Sequence, residues 1–89
     1  MARVEMEAAE IIAAVPAQAS AEAFYELGLL YASGRSVPVD LVTAHKWFNV
    51  AVARGCRPAA TMRAELAFEM SADQIAAAQR EARLWLTRH

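Results

Sequence analysis

The chain has 89 residues, 57% of them hydrophobic, and a formal net charge of −1. That length suits one small domain of the usual ~100–150 residues. The near-neutral charge argues against binding that depends on phosphate contacts, the single Cys excludes an intramolecular disulfide, and no apolar run approaches the ~18 residues of a membrane span.

Twenty-two residues are Ala, against three Gly and three Pro. Ala is the best helix former because it loses no side-chain entropy, so the composition predicts an all-α chain. Helix stop and start signals divide it into about five helices. The first runs from about Val4 to Val15 and is stopped by Pro16. Val4, Ala8, Ile11 and Val15 share one of its faces, and Glu5, Glu7 and Glu10 lie off it. Those carboxylates stand where a signal peptide would need apolar residues, and the stretch from Ile11 to Ala14 is too short to serve as one. The expectation is a soluble protein of a reducing compartment, the cytoplasm. Eight Arg against one Lys, with abundant Ala, fits a GC-rich bacterial source.

The second helix begins after Ser20, a good N-cap, and ends at Gly34, placed for a left-handed C-terminal turn. At ~100° per residue, Ala23, Phe24, Leu27, Leu30 and Tyr31 form its main apolar face. Tyr25, Leu29 and Ala32 fall on roughly the opposite side, and only Glu22, Glu26 and Ser33 make a polar strip. A helix apolar most of the way round is buried on two sides or waits for a partner. Gly28 sits mid-helix, where Gly costs ~1 kcal/mol relative to Ala. Close approach of a neighbouring helix, under Trp47 or Phe48, is the simplest reason for it. After the Arg35–Val39 loop, which Pro38 keeps from resuming the helix, Asp40 caps a third helix that ends at Gly55. Pro58 suits the first position of a fourth, whose Ala59, Met62, Leu66 and Met70 share a face with Phe68 opposite, either covered by the next helix or exposed. Ser71 and Gln74 read as a capping box for a fifth helix, with Ile75, Ala78, Ala82 and Trp85 on one face. Short loops make successive helices antiparallel neighbours.

Ala23, Leu27, Gly28, Tyr31, Gly34, Val37, Asp40, Ala44, Trp47, Ala51, Gly55 and Ala59 fall at offsets that resemble the Sel1-like repeat, a helix–turn–helix unit related in architecture to tetratricopeptide repeats. The resemblance covers one full repeat, about residues 21–56, and enters the next. Ser36 departs from it, because the family often carries a second loop glycine there, and Val52 replaces a frequent Ala. Residues 57–89 look like a degenerate second repeat and C-terminal cap: Asp73 and Ala77 echo Asp40 and Ala44, with no Trp following. Residues 1–16 would cap the other end, so that 1–89 forms a single domain. Every position of the motif has a structural role available to it. Small residues admit close helices, the glycines turn, Asp40 caps, and Trp47 and Tyr31 fill the core.

Candidate chemistry is sparse. His45 reads as a neutral surface histidine, since positions 48 and 49, where a second metal ligand would stand, are Phe and Asn. Cys56 lies between Gly55 and Arg57 near a helix N-terminus, a setting that can lower a thiol pKa, but no base or oxyanion site accompanies it. Glu22, Glu26, Glu65, Glu69 and Glu81 read as solvated faces, and Arg80, Arg83 and Arg88 as cations complementing a helix C-terminus. No cofactor and no metal are expected.

The resemblance implies a non-enzymatic protein–protein interaction module, an adaptor or regulator, whose first repeat helix lines a concave binding face. On that helix Tyr25, Leu29 and Ala32 are the expected contacts, with Arg35 at the rim, Tyr and Arg being common interface anchors. The partner is another protein of unspecified identity, with neither nucleic acid nor membrane involved. One alternative is that the N-terminal helix covers this face. Another is a homodimer or larger homo-oligomer whose repeats stack to complete a core, since such repeats usually need about three copies. An enzyme is a third reading. Secreted family members linked to β-lactam binding are stapled by many disulfides, which one Cys does not supply.

Overall fold

The computed structural model describes residues 19–89. These form α-helices α1 (Ala21–Ser33), α2 (Leu41–Ala53), α3 (Arg57–Ala67) and α4 (Ala72–Arg88), with no strand among the described residues. The chain is all-α over this span. The helix expected from Val4 to Val15, and with it the capping unit 1–16, lies outside the described residues.

The helix ends follow local chemistry. Ser20 Oγ accepts from the Ala23 amide at 3.2 Å. Asp40 holds Thr43 twice, accepting from its amide at 3.0 Å and from its hydroxyl at 2.8 Å. Ser71 and Gln74 exchange side-chain-to-amide bonds at 2.9 and 3.1 Å, the expected capping box. Such caps satisfy orphan amides and contribute about 1 kcal/mol each. Gly34 closes α1 in the left-handed region at φ 75°, and its amide donates to the Leu30 carbonyl. A side chain there would be strained and would also meet Val39 at 2.8 Å. α3 starts at Arg57, so Pro58 is the second helical residue rather than the first. Its missing N–H still falls among the four amides that have no intrahelical partner.

Ser36 also adopts the left-handed region, with φ 68°. An L-residue pays about 1–2 kcal/mol for this conformation, and Gly avoids it while gaining unfolded-state entropy worth about 0.4–1 kcal/mol. Ser36→Gly is therefore expected to stabilise the protein by about 0.5–1 kcal/mol, raising Tm by a few degrees. A circular-dichroism melt checks this, and an unchanged or lower Tm would contradict it.

The core is built around α2. The end of α1 meets the start of α2, where the Asp40 amide donates to the Tyr31 carbonyl. The beginning of α1 meets the end of α2, where the Arg54 guanidinium lies 5.7 Å from the Phe24 ring. The two helices are thus antiparallel. Phe24, Leu27 and Tyr31 of α1 interlock with Ala44, Trp47, Phe48 and Ala51 of α2, all buried. At Gly28 the Phe48 ring lies directly against the α1 backbone: a Cβ there would lie 2.4 Å from Phe48 Cε1. Of the two neighbours expected there, Trp47 and Phe48, it is Phe48 that makes the approach.

α3 and α4 each pack on α2 and only marginally on each other. Expected pairing of successive helices therefore holds for α1–α2 and α2–α3 but not for α3–α4. The reason lies in α4. Its stripe of Ala78, Ala82, Trp85 and Leu86 brings Trp85 into an aromatic cluster with Trp47 of α2 and Phe24 of α1. The Trp85 ring stands edge-on to Phe24 at 5.0 Å and to Trp47 at 5.6 Å. Aromatic pairs in this geometry contribute about 0.5–1.5 kcal/mol beyond area burial. α3 offers α4 no comparable aromatic surface, and Phe68 at its end is 91% exposed rather than covered.

Candidate functional site

The second apolar side of α1 is the candidate site. Tyr25, Leu29 and Ala32 are spaced by four and three residues, so they line one stripe of the helix. All three are half-buried and rest against the core, while Glu22, Glu26 and Ser33 are exposed. The Tyr25 ring lies 5.9 Å from Phe48, tilted by 43°. Gly28 explains how this happens: with no side chain between them, Phe48 slides under α1 and reaches the base of Tyr25. The stripe is thus a half-open surface backed by a rigid ring. Arg35 is exposed in the loop beyond α1, its backbone amide near the Ser33 hydroxyl at 3.4 Å. The helix brings the first three together, and Arg35 stands past its end.

The opposite side of α1 is structural. Tyr31 is buried, and burial, with the Asp40 charge as a lesser cause, pushes its hydroxyl pKa above the ordinary 10.0. Its proton stays on through the physiological range. The five carboxylates Glu22, Glu26, Glu65, Glu69 and Glu81 are exposed, as are Arg80, Arg83 and Arg88. No three His, Cys, Asp or Glu side chains come together among the described residues.

No protein-family model, curated protein or solved structure matches this chain. The residues themselves therefore carry the functional reading.

One expectation about those residues is corrected. His45 is not at the surface: it is 2% exposed. It faces the α2–α3 seam, where its Nδ1 lies 3.0 Å from the Asn49 side-chain amide nitrogen. Asn49 Oδ1 in turn accepts from Arg63 of α3 at 2.8 Å. Burial and the Arg63 charge lower the imidazole pKa from 6.5, so the ring is neutral, as expected, but inside. The missed signal was Asn49 itself. A partner four residues on faces the same side of a helix, and Asn there reads as a hydrogen-bond partner even though it is a poor metal ligand. Cys56 is buried at the N-cap of α3 and makes no side-chain cap bond. Its amide donates to the Ala51 carbonyl at 2.9 Å.

Among the described residues no helix is long and apolar enough to cross a membrane.

Proposed function

We propose that this chain is a non-enzymatic protein–protein interaction module, an adaptor or regulator of a bacterial cytoplasm, which binds its partner through Tyr25, Leu29, Ala32 and Arg35. The observation that carries the reading is the half-buried stripe on α1. It is apolar and backed by Phe48, and a charged residue lies at its end. Interfaces draw their energy from such aromatic anchors at a desolvated centre with polar groups at the rim.

The Sel1-like scaffold belongs to the same proposal. Residues 21–56 supply the features such a helix pair requires: Gly34 in a left-handed turn, Asp40 as N-cap, and Ala44, Ala51 and Trp47 in the core. Ser36, where the family often has glycine, adopts the backbone conformation that favours glycine. In this reading residues 57–89 form the degenerate second repeat and cap, and the α1 stripe lies on the concave side.

The test places a photo-crosslinking amino acid at position 25 and, as control, at the exposed position 61. Irradiation in the native cell is expected to give one discrete heterologous adduct from position 25 and none from position 61. No adduct from position 25 would contradict the proposal, and an adduct between two copies of this chain would support self-association instead. Tyr25→Ala is expected to weaken capture of that partner at least tenfold. It should cost the fold only about 1–2 kcal/mol, because a half-buried ring loses one aromatic contact and part of its area. A melt showing a larger loss would make Tyr25 a core residue.

A further inference from the structure

The polar chain in the α2–α3 seam plays no part in the proposed binding face, and its donors fix its protonation. A guanidinium only donates, so Asn49 must turn its carbonyl oxygen toward Arg63. That leaves the Asn49 NH2 facing His45 at 3.0 Å. An NH2 group also only donates, so His45 Nδ1 is a bare acceptor and the neutral ring carries its proton on Nε2.

We propose that His45, Asn49 and Arg63 form an acid-sensitive latch that holds α3 on α2. The triggering step is the uptake of one proton from water by Nδ1. An N–H then opposes the Asn49 NH2. To accept from the imidazolium the amide must turn over, which sets its NH2 against the Arg63 guanidinium. Turned over, the amide gives up the bridge from α2 to α3; unturned, it keeps that bridge only with an N–H of the buried imidazolium set against its own NH2, so protonation weakens the chain in either orientation.

Of the charges nearby, Arg63 reinforces the effect. Arg63 from α3 is cationic and faces the ring, and Arg83 from α4 lines the hollow beside Asn49. On α2 itself, Lys46 lies over the Trp47 ring. α1 turns its two carboxylates, Glu22 and Glu26, to solvent. Burial first, and the Arg63 charge second, hold the imidazole below its ordinary 6.5. The folded ring therefore takes up its proton at lower pH than the unfolded ring. The stability this contributes is complete above the unfolded value and is lost as pH falls from there through the folded value. The loss falls on α3, whose buried residues are Ala59 and Leu66 alone, against Phe24, Leu27, Gly28 and Tyr31 in α1. Elements with few buried contacts open first.

Two NMR measurements on the full chain test the latch. Imidazole nitrogen spectra at about pH 7.5 are expected to show His45 as the Nε2–H tautomer. Amide exchange, corrected for its intrinsic pH dependence, is expected to show α3 losing protection severalfold, up to about tenfold, between about pH 7.5 and 5.5, while α1 and α2 lose less. In Asn49→Asp the carboxylate accepts from Arg63 and from the imidazolium together, so α3 should keep its protection at the lower pH. A proton on Nδ1 at neutral pH would overturn the proposal. So would equal loss across the helices, or an Asn49→Asp protein as acid-sensitive as the wild type. If that variant does not fold, the two wild-type measurements decide.

Discussion

Trp47→Ala is expected to unfold the protein or leave it on the edge of unfolding. Trp47 is 4% exposed and stands where three helices meet. Its ring stacks on Phe24 of α1 at 5.8 Å and meets Trp85 of α4 edge-on at 5.6 Å, and the Lys46 ammonium lies over it at 4.4 Å. Truncation removes both aromatic pairs and leaves a cavity that α1 and α4 can close only by abandoning their own contacts with α2. Deleting a buried Trp side chain costs about 3–5 kcal/mol, and small domains have only about 5–15 kcal/mol in total. Chemical denaturation followed by circular dichroism measures the loss. A cooperative transition close to that of wild type would show that the aromatic cluster does not hold the helices together.

Gly28→Val is expected to be the next most damaging change. Helix propensity alone argues the other way, since Gly is the worst ordinary residue in a helix interior. Sterics decide the sign. The first added carbon would sit 2.4 Å from Phe48 Cε1 and 2.5 Å from Cδ1. Phe48 is fully buried and has Tyr25 as a further neighbour, so the ring has no free space into which to swing. α1 must then lift from α2, separating Leu27 and Tyr31 from the core. Overpacking of this kind costs about 1–3 kcal/mol, which exceeds the propensity gain and should lower Tm by roughly 10 °C. A melt at or above the wild-type temperature would mean that the two helices have room to spare.

Much of this architecture was legible in the residues because it depends on short-range rules. Ser20, Asp40 and the Ser71–Gln74 pair are local hydrogen-bond chemistry, and each caps the helix it was expected to cap. The two sides of α1 follow from a period of 3.6, and Gly28 announced a close approach because a mid-helix glycine needs a reason. The harder features depend on how many neighbours a helix has. α2 is covered by α1, α3 and α4, so even its polar residue His45 is buried, and no periodicity on α2 alone reveals that. The choice of α4 to pack on α2 rather than on α3 depends on Trp85 finding Phe24 and Trp47, contacts far apart in sequence. The candidate face was legible as a stripe. Its backing by Phe48 was not, because that contact needs the register of one helix on another.

Mass in solution, measured by light scattering after size exclusion across roughly a thousandfold range of protein concentration, tests the central claim most directly. If the α1 stripe is kept for another protein, the chain is a monomer near 9.7 kDa throughout. A mass that rises toward a dimer with concentration, and returns to the monomer in Tyr25→Ala and Leu29→Ala, would show that the stripe is used on a second copy of the chain and contradict the adaptor reading.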